Sequence, residues 1–291
     1  LCNAFTDRAA PSAIEHACGV PVLVDTRPSD LTMDVRSLRE RARSSGARVL
    51  VLSHTCGRVG DLNEIYEVAE EENLVVIEDA AAALGARYRG RHVGHSARVT
   101  CYSTQSSSLV NSGEGGFLCT DDEWIAARAI CYSGAVEQSW RTHRARPSNS
   151  VLRSVAMRTP NYSMRMSELT ACCITPQVAV LERTISKYES LYDDVRQRLS
   201  THPRMEVIAH RTHVRPVHHT MQVRFLGRNM GVFVKGAMAR GLRIIRLGDP
   251  EHVRNYRSWD FSDDSSYLSG TDAILEHVVD IPLDGPLPPT E

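Results

Sequence analysis

Lysine is almost absent from this chain. Of its 34 Lys and Arg residues only Lys187 and Lys235 are lysine, so chemistry that needs a primary amine has two side chains to draw on. Long apolar runs are missing too, which excludes a membrane-spanning helix, and the first residues do not form the charged-then-apolar pattern of a signal peptide. The eight cysteines include no C-x-x-C pair and no spacing that suits zinc. Several lie in apolar segments, where cysteine behaves as a small buried hydrophobe, so a reducing cytoplasm is the expected compartment. A formal net charge of -1 excludes the basic footprint of a protein that binds nucleic acid or an anionic membrane. Neither an internal repeat nor a low-complexity tract is present.

What remains is a globular composition, 42% hydrophobic and 24% charged over 291 residues, enough for a large domain and a smaller one. Short β-branched runs at 21–25, 49–54, 74–79 and 99–103 read as buried strands. Segments 11–18, 34–44 and 61–72 between them read as helices, with Asp34 and Asp61 as N-caps. Strict alternation predicts a three-layer α/β/α domain on a mostly parallel sheet. Ligands in such sheets sit beyond the carboxyl ends of the strands, where His54, Asp79 and Ser103 fall. A helix from Asp122 to about Tyr132 should lead into a long surface loop, 134–154, and then a long helix from Ser167 to about Leu199 kinked at Pro176. Strands at 207–210, 219–225, 242–247 and 278–282, with a helix at 231–240, predict a small C-terminal α+β domain. The boundary is expected between 185 and 186, giving domains 1–185 and 186–291. Opening at Leu1 and stopping at Pro288–Glu291, the sequence also suggests an upstream segment and a last helix beyond it.

Two segments stand out chemically. Ile77-Glu78-Asp79-Ala80-Ala81 puts two carboxylates at the end of an apolar strand, and Gly113-Glu114-Gly115-Gly116 is a turn whose glycines imply positive φ or close backbone approach. Each alone is weak. A third cluster, His210, His213, His218 and His219, could suggest metal, but His218 and His219 would point to opposite faces of a strand. That cluster reads mostly as a solvated strand and loop.

Taken in order, Asp79, the Tyr88–Gly94 segment, Cys101-Tyr102-Ser103-Thr104-Gln105 and Ser112–Gly116 resemble the DegT/DnrJ/StrS family of pyridoxal phosphate (PLP) dependent sugar aminotransferases. Asn161-Tyr162-Ser163-Met164-Arg165-Met166-Ser167-Glu168-Leu169 is similar to the family segment N-Y-R-M-S-E-L with two extra residues. Asp25, the stretch His54–Gly57 and the late strand Val279–Leu283 also fit. The resemblance implies fold type I, PLP as cofactor, and a dimer acting on a keto-sugar, cyclitol or related ketone. It gives Asp79 the role of pairing with the pyridine nitrogen, Ser103 that of a hydroxyl on the phosphate, and Asn161 that of an amide reaching the phosphate of a neighbouring subunit.

The family's Schiff-base lysine stands five residues after that serine and five before the first glycine of G-E-G-G. Both counts land on Ser108, whose hydroxyl can neither attack the cofactor aldehyde as an amine does nor shuttle the proton at neutral pH. Ala82 stands at a cofactor-facing position where the family usually has a polar residue, and Leu84 where it has His. The family's phosphate-binding Ser and Thr would precede Leu1. Three readings compete. The chain is a pseudoenzyme that pairs with a lysine-bearing homologue, a PLP enzyme of altered, dehydratase-like chemistry, or a fragment or variant of an active sugar aminotransferase. The first ranks ahead, because no base stands near Ser108 in the sequence.

Overall fold

The computed structural model describes residues 1–134, 146–261 and 267–283. In chain order the elements are β1 (Cys2–Asn3), α1 (Ala9–His16), β2 (Leu23–Val24), β3 (Thr26–Arg27), β4 (Thr32–Met33), α2 (Val35–Ser45), β5 (Val49–Ser53), α3 (Leu62–Glu71) and β6 (Val75–Asp79). There follow β7 (Arg87–Tyr88), β8 (Arg91–His92), β9 (Val99–Ser103), β10 (Gly116–Cys119), α4 (Glu123–Ser133), α5 (Asn149–Ala156), α6 (Glu168–Ala179) and α7 (Leu181–Leu199). The last are β11 (Met205–Val207), β12 (Val214–Arg215), β13 (Thr220–Phe225), α8 (Met230–Ala239), β14 (Ile245–Arg246), α9 (Ser269–His277) and β15 (Val278–Pro282).

The central sheet has the order β10-β9-β6-β5-β1-β2. All its pairs are parallel except β10 against β9, so the α/β class with a mostly parallel sheet holds. Side chains alternate along each strand. Leu50, Leu52 and Val76 point into a core shared with Leu38 and Ala42 of α2 and Leu62, Ile65 and Val68 of α3. The other face, with Val51, Ile77 and Cys101, looks into a large cavity. No helix among the described residues is long and apolar enough to cross a membrane.

The helix starts follow local chemistry. Asp34 accepts from the Arg36 and Ser37 amides, Asp61 from Glu64 and Asp122 from Trp124 and Ile125, satisfying donors that have no partner inside the helix. Two expectations need correction. Within the segment read as a loop, 135–145 lies outside the described residues, but Ser148 caps α5, whose Val151, Leu152 and Val155 pack on Ala127 of α4; an amphipathic two-turn helix was hidden in an Arg- and Ser-rich context. The long helix does not break at Pro176. It runs through Pro176 to Ala179 and breaks one turn later, at Val180 (φ -113°, ψ 10°); Gln177 Nε2 donates to the Cys173 carbonyl one turn back.

A second, antiparallel sheet has the order β11-β13-β15-β14, with Tyr192, Met221, Val223, Val234 and Val279 in its core. The strands expected at 207–210 and 242–247 shrink to Met205–Val207 and Ile245–Arg246. The two sheets are tied at α9, which local periodicity did not announce. Asp25, just past β2, accepts from the Thr26 amide and, 245 and 246 residues away, from Gly270 N (2.9 Å), Thr271 N (2.7 Å) and Thr271 Oγ1 (2.8 Å). It thus caps α9 from across the molecule. Asp25→Ala should lower the unfolding free energy by about 2 kcal/mol, the usual worth of a lost cap with buried donors left behind. Urea denaturation measures this, and an unchanged midpoint would show that the cap carries no stability.

Candidate functional site

Strand ends build the site. Three parallel neighbours, β5, β6 and β9, finish side by side, with Ser53 opposite Asp79 and Asp79 opposite Cys101 in register. Their carboxyl ends open on a cavity of about 1220 Å³. Asp79, Ser103 and Ser108 all line it, together with Ala82 and Leu84. Five positions singled out in the sequence therefore line one cavity.

Each is held by its neighbours. Asp79 accepts from Ser53 Oγ on Oδ2 (2.9 Å) and from the Ala81 amide on Oδ1 (3.1 Å). Ser103 Oγ accepts from the Gln105 amide (3.1 Å), which leaves its own proton free to donate. Ser108 rides on the excursion between β9 and β10. That excursion is cinched by Thr104 N to Gly115 O, Ser106 N to Gly113 O and Ser112 N to Thr104 O, and it needs positive φ at Gly113 (84°) and Gly115 (139°). Burial, with the Asp79 charge beside it, pushes the Cys101 thiol up.

The far wall belongs to the C-terminal part of the chain. Val217 and His219, which lead into β13, and Arg254 line the same cavity. Close approach is possible because residue 57 is glycine: at φ 72°, a Cβ there would stand 2.7 Å from the Val217 carbonyl oxygen and 3.0 Å from that of Ala82. The sequence offered no local sign that these residues, far beyond Asp79 along the chain, would meet it. Ser53 was equally missed, although its place at a strand end was a usable signal.

Asn161 is not brought to the cavity. It sits on the exposed stretch before α6, where its Oδ1 accepts from the Ser163 amide (2.8 Å). Lys187 on α7 and Lys235 on α8 are exposed, and neither lines the cavity.

The histidine cluster is not a solvated strand. His218 is buried, stacked on Tyr192 (centroids 3.8 Å apart), with His210 edge-on to it at 4.9 Å. The chain folds back so that both rings close the core of the second sheet, while His219 turns to the cavity. Among the described residues no group of three or more His, Cys, Asp or Glu could hold a metal ion. Burial pushes His210 well below its ordinary value and His218 down to about 4 from 6.5, with the positive charge of Arg58 adding to both. Both rings are therefore neutral in the fold, whereas the unfolded chain takes up protons from about pH 6.5 downward. Stability is complete above pH 6.5 and is lost as pH falls from 6.5 towards 4, by roughly 3 kcal/mol for His218. His218→Phe, which keeps the ring on Tyr192, should flatten this part of the stability curve in denaturant titrations run from pH 7 to 4; a curve as steep as the parent's would refute the assignment.

Comparison with known proteins matches this architecture. The profile of the DegT/DnrJ/EryC1/StrS aminotransferase family covers residues 1–285. The L-glutamine:scyllo-inosose aminotransferase of Streptomyces griseus is 39% identical over 121 residues, 42% of this chain and 28% of that protein. The chain spans about a third of the length of such curated relatives. The sugar aminotransferase CalS13 of Micromonospora echinospora superposes with a TM-score of 0.79 at 20% identity, covering 97% of this chain and 74% of that one. Escherichia coli GDP-4-keto-6-deoxy-D-mannose-3-dehydratase with bound hydrated PLP does so with a TM-score of 0.79 at 15% identity, covering 96% and 74%. At such identities the superpositions establish the fold. The profile match over nearly the whole chain establishes the lineage: this protein belongs to the DegT/DnrJ/EryC1/StrS aminotransferase family.

Proposed function

We propose that this chain holds PLP without a covalent bond and, with Ser108 in the position of the family's lysine, does not transaminate by itself. The observation that carries this reading is that Ser108 lines the same cavity as Asp79 and Ser103, and no lysine does. The residues present fit the non-covalent part of such a site. A carboxylate at the end of a central strand suits a protonated ring nitrogen, and a serine hydroxyl whose oxygen already accepts from Gln105 N has its proton to give to a phosphate. When bound, the cofactor would supply an electron sink for carbanionic character at the carbon that bears an attached amine. Asp79 keeps the proton on the ring nitrogen, Ser103 donates to a phosphate oxygen, and Ala82 and Leu84 offer apolar wall only.

What the cavity lacks is an amine to bond the aldehyde and carry the proton. The substrate class in this reading is the family's keto-sugar, cyclitol or related ketone. The partner is a second copy or, for turnover, a lysine-bearing homologue. Asn161, exposed outside the cavity, is the residue this chain would lend to the partner's phosphate site. We put the boundary between large and small domains at 185/186, since Ile185 packs in the first core and Tyr188 and Tyr192 in the second. All eight cysteines are free, which favours the cytoplasm.

A second reading, a PLP enzyme of altered, dehydratase-like chemistry, is favoured by one observation: His219 brings an imidazole into the cavity, the side chain best suited to proton transfer near neutrality.

Absorbance titration with PLP should show saturable uptake that dialysis reverses even after borohydride treatment, and Asp79→Asn should weaken it by about tenfold. Ser108→Lys should gain a borohydride-fixed cofactor and a half-reaction with glutamate. A borohydride-fixed peptide at Lys187 or Lys235 in the parent protein would overturn the reading.

A further inference from the structure

The carboxylate of Asp79 does not choose its own orientation. Strand β1 ends at Asn3, while β5 continues to Ser53, so the last residue of β5 has lost its ladder partner on that side, and buried backbone groups must find another. The Asn3 side chain replaces the missing strand. Its Oδ1 accepts from Ser53 N (2.9 Å) and its Nδ2 donates to Ser53 O (3.2 Å). On the opposite side Ser53 lies in register with Asp79, and the next amide, His54 N, donates to the Asp79 carbonyl (2.9 Å). Both Asn3 and Ser53 are buried. The Ser53 backbone is thus gripped from both flanks, and its hydroxyl has a fixed origin from which to donate to Asp79 Oδ2 (2.9 Å).

We propose that Ser53, locked by Asn3, is a positioning residue: it sets the plane in which Asp79 meets the ring nitrogen of the cofactor. The inference rests on the role given above to Asp79. Two donors, Ser53 Oγ on Oδ2 and Ala81 N on Oδ1, hold one side of each carboxylate oxygen. A carboxylate has about four lone-pair sites, so each oxygen keeps one for an incoming N–H. Without Ser53 only the Ala81 amide remains. The carboxylate can then turn about its Cβ–Cγ bond, a torsion with broad, shallow wells, and the contact with the ring nitrogen loses its preset geometry.

The test uses the whole chain in two measurements. The first is the side-chain carboxyl carbon resonance of Asp79, identified by its loss in Asp79→Asn, followed without cofactor in Ser53→Ala and in the isosteric pair Ser53→Thr and Ser53→Val. It should move in the Ala and Val variants and stay at the parent position in the Thr variant, which keeps the hydroxyl. The second is the dissociation constant for PLP, which should rise by about tenfold in the Ala and Val variants and stay within about twofold in the Thr variant. Because Thr and Val have the same shape, a difference between them isolates the hydroxyl from any effect on folding. An unmoved resonance in Ser53→Val overturns the proposal, and so does a moved resonance with unchanged PLP affinity. If the parent chain takes up no PLP and Asp79→Asn behaves identically, the reading of the cofactor site fails, and the resonance alone decides whether Ser53 holds Asp79.

Discussion

One buried guanidinium joins the two sheets. Arg58, in the turn after β5, is 2% exposed and spends most of its donors on the far part of the chain: Nε to Gln222 Oε1 (2.6 Å), Nη1 to the carbonyl of Ala209 and also to that of nearby Asp30, and Nη2 to that of Ile208 (2.8 Å). Burial pushes its pKa down, and an ion in such a place is tolerable only when nearly every donor is satisfied. The planar fork meets that demand where a lysine ammonium could not. From Gln222 the network runs on through Asp280 to Arg254 on the cavity wall. The relative placement of Asp79 and His219 therefore depends on a residue that touches neither.

The acidic pair at the end of β6 shows how period two assigns opposite roles to adjacent carboxylates. Asp79 faces the cavity. Glu78 faces the core, where it accepts from Tyr66 OH (2.6 Å), the Gly94 amide (3.0 Å) and, at 2.7 Å, lies on His54 Nε2. Burial alone would push Glu78 up; the hydrogen bonds from His54, Tyr66 and Gly94 outweigh it and hold the carboxyl below its ordinary range. Glu78 thereby pins the β7–β8 region to β6 and the turn after β5, and the strand end that presents Asp79 is rigid for reasons on the other side of the sheet.

Ser108 gains its meaning from the same edge. Its loop is closed by backbone bonds between Thr104 and Gly115 and between Ser106 and Gly113, so the count of residues from Ser103 and from Gly113 corresponds to a fixed loop in space. That loop brings Ser108 to the cavity that Asp79 and Ser103 also line.

The amino-acid sequence by itself determined four of the six strands of the central sheet, the capped starts of α2 and α3, and the motif order that named the family, because period two, an Asp side chain and a glycine at positive φ all act within a few residues. Asp79 and Ser103 were legible as strand-end residues, whereas Ser108, on the excursion between β9 and β10, came from counting along the motif that resembles the family. Tertiary structure decided what local signals do not encode. It buried His218 against Tyr192, ran α6 past Pro176, supplied α9 with a cap from Asp25, left Asn161 outside the cavity, tied Asn3 to Ser53 and Ser53 to Asp79, and brought His219 and Arg254 to the wall of the same cavity. Most of these pairings join residues tens to hundreds of positions apart, and the packing of the two sheets, held by Arg58 and Asp25, brings them together.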